Sequence, residues 1–208
     1  MIGSLAVSTI AARLGKRGTA FDSEILLELQ AAQEEMETGP QLPWFLLNHD
    51  TTTATVLDTK TIAMPTDFLL EDDYGKMFIV DTDGDYNLCR KNDYDVLRKS
   101  VNFSTSGVPE QYALQDAIVS FFPTPNAAYT LDWHYYKRDD ALTAAAANAW
   151  LTDAPMVLLN KAGLEMARFL RDQSAISIFD ANYARAVAAM WARDEARRQA
   201  GMQLTMGG

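Results

Sequence analysis

The residue types in this chain best suited to chemistry are two histidines, one cysteine and an aspartate-rich loop. His49 precedes Asp50, and His134 lies in the alternating segment Asp132-Trp133-His134-Tyr135. A general base needs a nucleophile and an orienting group that meet it in space, and adjacency in sequence supplies neither. No GxSxG, HExxH or Walker glycine loop accompanies the imidazoles. A small enzyme using His49 or His134 with neighbouring aspartates is therefore the lesser reading, no catalytic residue is assigned, and His134 is expected on the polar face of a strand. Cys89 is followed by Arg90 and Lys91, which would favour a thiolate, but a small half-buried strand residue is the simpler expectation. A lone cysteine forms no internal disulfide, which points to a reducing interior. Asp81-Thr82-Asp83-Gly84-Asp85 places carboxylates at alternate positions, as a calcium loop does. Its glycine stands fourth rather than sixth, and Asn92 occupies the place of the bidentate glutamate. The loop reads as a solvated hairpin tip, and neither a metal nor a cofactor is expected. Asn102-Phe103-Ser104 matches a glycosylation sequon and is taken as a chance match.

Charge narrows the partners. Twenty-eight acidic against eighteen basic side chains leave a net charge of -10, which argues against capture of nucleic acid through its phosphates. Trp133, Tyr135 and Tyr136, followed by Lys137-Arg138, resemble a base-stacking platform, but Asp132, Asp139 and Asp140 cancel that patch, so a single-strand binder is a second lesser reading. The first eighteen residues lack a basic leader and a cleavage pattern, and no uninterrupted apolar run is long enough to span a bilayer; neither export nor a membrane is expected.

The elements that must position these residues follow from periodicity. Ile2, Leu5, Thr9, Ile10 and Leu14 recur at helical spacing before Gly15-Lys16-Arg17-Gly18 stops the pattern. Thr19 and Asp22 introduce a second stripe of Phe21, Ile25, Leu29, Ala32 and Met36, ended by Gly39-Pro40. From Leu42 the texture becomes β-branched and aromatic, with frequent turn signals. Residues 44–48 and 52–57 read as one antiparallel pair, and residues 77–80 and 86–90 as another, joined through the Asp-Gly turn. Tyr129, Leu131, Trp133 and Tyr135 share one face of a strand, and residues 117–122 are expected to pair with it up to Pro123-Thr124-Pro125. After Trp150 the helical period returns. Asp153 is the expected N-cap, Pro155 opens the helix, and Met156, Leu159, Gly163, Met166, Ala167 and Leu170 form its stripe. Ser174 then precedes the longest helix, with Ile176, Phe179, Tyr183, Val187, Met190 and Trp191 on one side as far as about Gln199.

Four amphipathic helices left unpaired would forfeit far more than a domain's net stability, since each large buried side chain contributes about 1.5–3 kcal/mol. The predicted fold class is therefore α+β: a discontinuous helical bundle of two N-terminal and two C-terminal helices, residues 1–41 and 148–208, with an antiparallel β domain of residues 42–147 inserted between them. The insertion carries sixteen acids against eight bases, whereas residues 148–208 carry six acids against seven bases. At the far end, Arg193, Arg197 and Arg198 suit the negative end of a helix macrodipole. Beyond them, Met202, Leu204 and Met206 alternate in a segment able to add as a strand to another protein's sheet edge or lie in a groove. Both readings of this region stand.

The order of several short motifs resembles the head-to-tail adaptor proteins of tailed bacteriophages. The matching stretch runs through Met64-Pro65-Thr66-Asp67-Phe68-Leu69, Gly107-Val108-Pro109 with Tyr112 and Leu114, Phe122-Pro123-Thr124-Pro125, Tyr129-Thr130-Leu131 and Tyr135-Tyr136. It continues through Trp150-Leu151, Pro155, Leu158-Leu159, Leu164, Ala167, Phe169-Leu170 and Tyr183. The resemblance implies a structural virion protein at the head-tail interface, assembled in the host cytoplasm as a dodecameric ring below the portal. Its implied partners are the portal protein, a tail tube or nozzle protein, copies of itself, and genomic DNA passing through the channel without specific binding. The C-terminal end is the implied portal contact, which makes Arg197, Arg198, Met202, Leu204 and Met206 candidates. Acidic loops around Glu71, Asp72 and Asp73, or Asp81, Asp83 and Asp85, are expected at the channel or its tail-facing rim. A tail terminator or head-completion protein is the alternative virion role.

Overall fold

A computed structural model describes residues 1–16, 18–72, 76–81, 83–100 and 105–205, with only the backbone described at 76, 99–100 and 200–205. The chain divides into two compact units, Met1–Leu46 with Asp139–Gly208, and Leu47–Arg138. Helices form the first and a mixed sheet dominates the second, so the architecture is α+β.

The helical unit contains α1 (Gly3–Arg13), α2 (Asp22–Glu37), a 3-10 turn (Trp44–Leu46), α4 (Ala149–Asp153), α5 (Pro155–Phe169) and α6 (Gln173–Thr205). Helix α5 is its centre: nine residues are buried, among them Leu158, Leu159, Ala162, Gly163, Met166 and Ala167. Burial on nearly every side requires neighbours on nearly every side, and α1, α2, α4 and α6 all pack against it. Gly163 is where α6 comes closest, because a Cβ placed there would sit 2.4 Å from Cε1 of the buried Phe179 ring. Lys161 adds a surface link, with Nζ 2.8 Å from Glu35 of α2.

A buried polar network joins α2 to the returning chain. Glu37 Oε1 accepts hydrogen bonds from Gln33 Nε2 at 2.9 Å, from the Trp150 indole Nε1 at 3.0 Å and from the Asp139 amide at 3.4 Å. Asn148 donates to Gln33 Oε1 at 2.9 Å, and its own Oδ1 accepts the Leu151 amide, capping α4. Burial pushes the Glu37 carboxyl above its ordinary range, against the pull of the Gln33, Trp150 and Asp139 donors. Desolvation thus outweighs the hydrogen bonds that favour the charged form.

The sheet unit contains β1 (Leu47–Asp50), β2 (Thr61–Ala63), β3 (Phe68–Glu71), β4 (Lys76–Val80), β5 (Tyr86–Lys91), α3 (Tyr94–Ser100), β6 (Ser106–Gly107), β7 (Gln111–Gln115), β8 (Ile118–Phe122), β9 (Thr124–Pro125) and β10 (Thr130–Lys137). The main sheet runs β1-β10-β4-β5-β7-β8-β2, with β3 also paired to β10. Its pairings are antiparallel except β5 with β7, and β6 pairs with β9 in a separate parallel ribbon. The expected β4–β5 hairpin forms in register from Lys76↔Arg90 to Val80↔Tyr86. Alternation on β10 also holds: Leu131, Trp133 and Tyr135 are buried, while Thr130 is exposed and Asp132 and His134 are half-buried. They join Met77, Ile79, Cys89, Tyr112, Val119, Phe121 and Tyr129 in one core. Burial pushes the Cys89 thiol far up, so this cysteine is an inert core residue.

Several expectations need correction. Residues 44–48 and 52–57 do not pair with each other; β1 lies against β10, and the chain meets the same strand again through the Ala54↔Thr130 bridge. The cause is Asp50, whose carboxylate accepts the Thr52 and Thr53 amides and both hydroxyls, pinching the chain into a turn without reversing it. The strand at residues 117–122 pairs with β7 and β2 rather than β10, because Asp116, at φ 52°, makes the tight reversal between β7 and β8. On α1 the buried face is Gly3, Ala6, Val7, Ile10 and Ala11, while Ile2 and Leu5 are exposed. Glycine is required at the start of that face because the backbone of residues 143–144 would lie 2.0 Å from a Cβ at Gly3, and Ser4 donates to Ala144 O at 2.8 Å. Asp153 ends α4 and Ala154 stands at the N-cap of α5. The start of α6 is capped by Asp172, which accepts from the Ala175 amide and the Ser174 hydroxyl at 3.0 Å each. The Asn102-Phe103-Ser104 sequon lies outside the described residues.

Two measurements check this packing. Gly163→Ala should cost about 1–3 kcal/mol despite alanine's better helix propensity, because the added methyl must displace the buried Phe179 ring from its packed position; an unchanged urea midpoint would contradict the close α5–α6 approach. Glu37 binds its proton more tightly folded than unfolded, so its contribution to stability is full in mild acid and lost as pH rises through the raised pKa. Glu37→Gln removes that dependence. The stability of the native chain relative to this variant should fall as pH rises above the ordinary carboxyl value of 4.5, measured by urea unfolding at each pH, and a flat difference would show Glu37 to be titrating normally.

Candidate functional site

The longest helix offers the most surface. Helix α6 has 33 residues against 15 in α5, about 50 Å against about 22 Å at 1.5 Å per residue, so it outruns its main packing partner. Phe179 and Met190 of the expected stripe are buried, and Ile176, Tyr183, Val187 and Trp191 are half-buried. Towards its C-terminal end, the guanidinium carbons of Arg193 and Arg197 lie 5.0 and 4.5 Å from the centroid of Trp44. Trp44 meets Phe45 edge-on at 5.2 Å, and Phe45 meets Trp150 at 5.0 Å, so two cations are held on an aromatic ladder rooted beside Glu37. Arg193 also donates to Asp153 O at 3.1 Å, and Arg198 Nε lies 3.2 Å from Asp194.

Helix α6 continues through Thr205, so the segment with Met202 and Leu204, expected as an extended tail, has helical backbone. Methionine, glutamine and leucine are good helix formers, and extending an existing helix past Gly201 is far easier than nucleating one. Met206 lies outside the described residues. Between the α4–α5 junction and α6 is a cleft of about 840 Å³, with Met156, Val157, Phe179 and Met190 on its floor and Arg185 and Arg193 among its lining residues. It is a concave apolar surface with a cationic margin.

The structure places the acidic candidates differently from one another. Glu71 is not a loop residue: it ends β3, is buried, accepts the Tyr112 hydroxyl at 2.6 Å and pairs with Lys91. Its charge is met locally. Asp72 is half-buried, and Asp73 lies outside the described residues. Asp81 is an internal cap, its Oδ1 accepting the Asp83 and Asp85 amides at 2.9 and 3.0 Å, with Gly84 at φ 88° closing the turn. Asp83 and Asp85 are exposed. Because β4 joins the Asp72 side to the Asp81 side, its five residues hold the two acidic regions at opposite ends of one strand.

The fold brings together three polar residues that the sequence left apart. His49 on β1 is directly opposite His134 on β10, and the two rings stack at 4.3 Å with an interplanar angle of 4°. Asp132, two positions back on β10, shares their face, with Oδ1 2.9 Å from His49 Nε2 and 3.9 Å from His134 Nδ1. The polar side of β10 was legible, but the β1 partner was not, because residues 44–48 were paired with the wrong segment.

Two compact units, a projecting helix with cations mounted on aromatics, and an acidic hairpin tip describe a protein built from contact surfaces. The family model for the SU10 adaptor protein matches residues 4–206, spanning both units, and the chain belongs to that family. It is a bacteriophage adaptor-type structural protein. No curated protein matches the chain. Among the described residues no helix is long and apolar enough to cross a membrane.

The hairpin tip supplies a local test. Asp81→Ala removes the carboxylate oxygen that accepts both turn amides, so amide exchange at Asp83 and Asp85 should accelerate about fivefold or more, the equivalent of about 1 kcal/mol. Unchanged protection of both amides by NMR would show that Asp81 does not hold the turn.

Proposed function

We propose that the chain is the head-to-tail adaptor of a tailed phage, assembling as a closed, dodecameric ring below the portal, joining it to the tail and extending the DNA channel. The observation that carries this reading is the adaptor-family match over both units rather than over one of them. A closed ring of identical subunits uses head-to-tail contacts, so each subunit must present two different complementary surfaces. The chain is suited to that requirement. Residues 47–138 carry fourteen acidic against eight basic side chains, while α6 carries four arginines, Arg185, Arg193, Arg197 and Arg198, against three acids, Asp180, Asp194 and Glu195.

The C-terminal part of α6, with Arg197, Arg198, Met202 and Leu204 and then Met206, is the proposed portal contact, and its helical backbone favours insertion as a helix over strand addition. Asp83 and Asp85 are the better channel or rim candidates, since Glu71 is buried and ion-paired. An acidic lumen suits the task. Carboxylates repel phosphate within about a Debye length of 8–10 Å and release no counterions on contact, so DNA slides without being held. The tail tube or nozzle protein would then dock on the opposite side of the ring, within the assembled virion.

The test is to mix the purified chain with portal rings and follow co-sedimentation and negative-stain images. The reading predicts a new ring stacked on the portal, lost on truncation after Gln199. A chain that stays monomeric and never joins the portal would overturn it.

A further inference from the structure

We propose that His49, Asp132 and His134 form a binding site for one divalent transition-metal ion of the zinc type, bridging β1 and β10. The placement follows from strand geometry. Period-two alternation sets Asp132 and His134 on the polar side of β10, and the His49↔His134 register brings the third residue across from the neighbouring strand. One ligand atom from each lies within 4.8 Å of the others. Metal–nitrogen and metal–oxygen bonds of about 2.0–2.2 Å put two ligands of a tetrahedral ion about 3–4 Å apart, and the two carboxylate–imidazole distances of 2.9 and 3.9 Å span that window.

The remaining adjustment falls on groups free to make it. The His49 and His134 side chains are 52% and 42% exposed, so either ring has solvent to turn into as it leaves the stack, whereas Asp132, at 13%, is the fixed member. The rings lie parallel, so their in-plane lone pairs do not converge as they stand; turning one imidazole out of the stack aims its nitrogen, together with that of the other ring and the Asp132 oxygen, at one volume that a cation fills in place of the His49–Asp132 hydrogen bond. The donor set selects the metal class. Two nitrogens and one carboxylate suit zinc, cobalt or nickel rather than calcium or magnesium, which prefer all-oxygen shells. Three protein ligands leave a fourth position on the open side for water. Bound there, the ion would staple β1 to β10 where each strand contributes a ligand, and mass action would add its binding energy to the stability of the sheet unit.

The test uses the full chain. Titration with zinc by calorimetry, and with cobalt by its visible absorption, should show one saturable site. His49→Ala and His134→Ala should each weaken it at least about tenfold, since even outer-shell changes cost metal sites 10–100-fold. A second measurement needs no variant: these are the only two histidines in the chain, so zinc should protect both from diethyl pyrocarbonate, read by mass spectrometry. No saturable binding, binding that survives the double histidine variant, or unprotected histidines at saturating zinc would each overturn the site.

Discussion

Glu37 accepts hydrogen bonds from Gln33 on its own helix, from the Trp150 indole on α4 and from the Asp139 amide where the chain returns from the sheet unit. A carboxylate shielded from water costs several kcal/mol unless its lone pairs are met. α2 can therefore bury its end only if residues 139–150 come back to the same place. Closing so long a loop is entropically unfavourable, though the cost grows only slowly with length. The network gives the returning chain one register: Asn148 both caps α4 and bonds Gln33, which fixes where Pro155 begins the central helix. Hydrophobic burial around α5 supplies most of the stability, and the polar network specifies which arrangement receives it.

That arrangement leaves α6 incompletely used. Its stripe packs on α5, yet the helix continues well beyond, and two of its arginines are held over Trp44, which is joined edge-on through Phe45 to Trp150. The same residues that close the helical unit thus root the surface that projects from it. In the sheet unit the aspartates divide by role: the oxygens of Asp50 and Asp81 accept backbone amides in turns, while Asp83 and Asp85 remain exposed.

Much of this was legible from pattern. Stripes at steps of three and four located α2, α5 and α6, and Tyr129, Leu131, Trp133 and Tyr135 marked the buried face of the central strand, because burial repeats with the local backbone period. What pattern could not supply was pairing between distant segments. β1 and β10 are more than eighty positions apart, so the His49–Asp132–His134 grouping depends on a register that local turn signals misassigned. The start of the buried face of α1 was hidden for a related reason: bulky Ile2 and Leu5 looked like the core, but the close approach of residues 143–144 requires glycine at position 3. Buried Glu71 was expected in an acidic loop because its partners, Tyr112 and Lys91, lie in other strands.

The central claim is that this chain sits between portal and tail as a ring. A subnanometre cryo-electron reconstruction of the intact virion tests it most directly, because the 33-residue α6 is long enough to be recognised as a rod. The account predicts a ring of such rods directly against the portal, with strand-rich density around the continuing channel. A ring placed elsewhere in the particle, or no copy of the subunit at the head-tail junction, would contradict it.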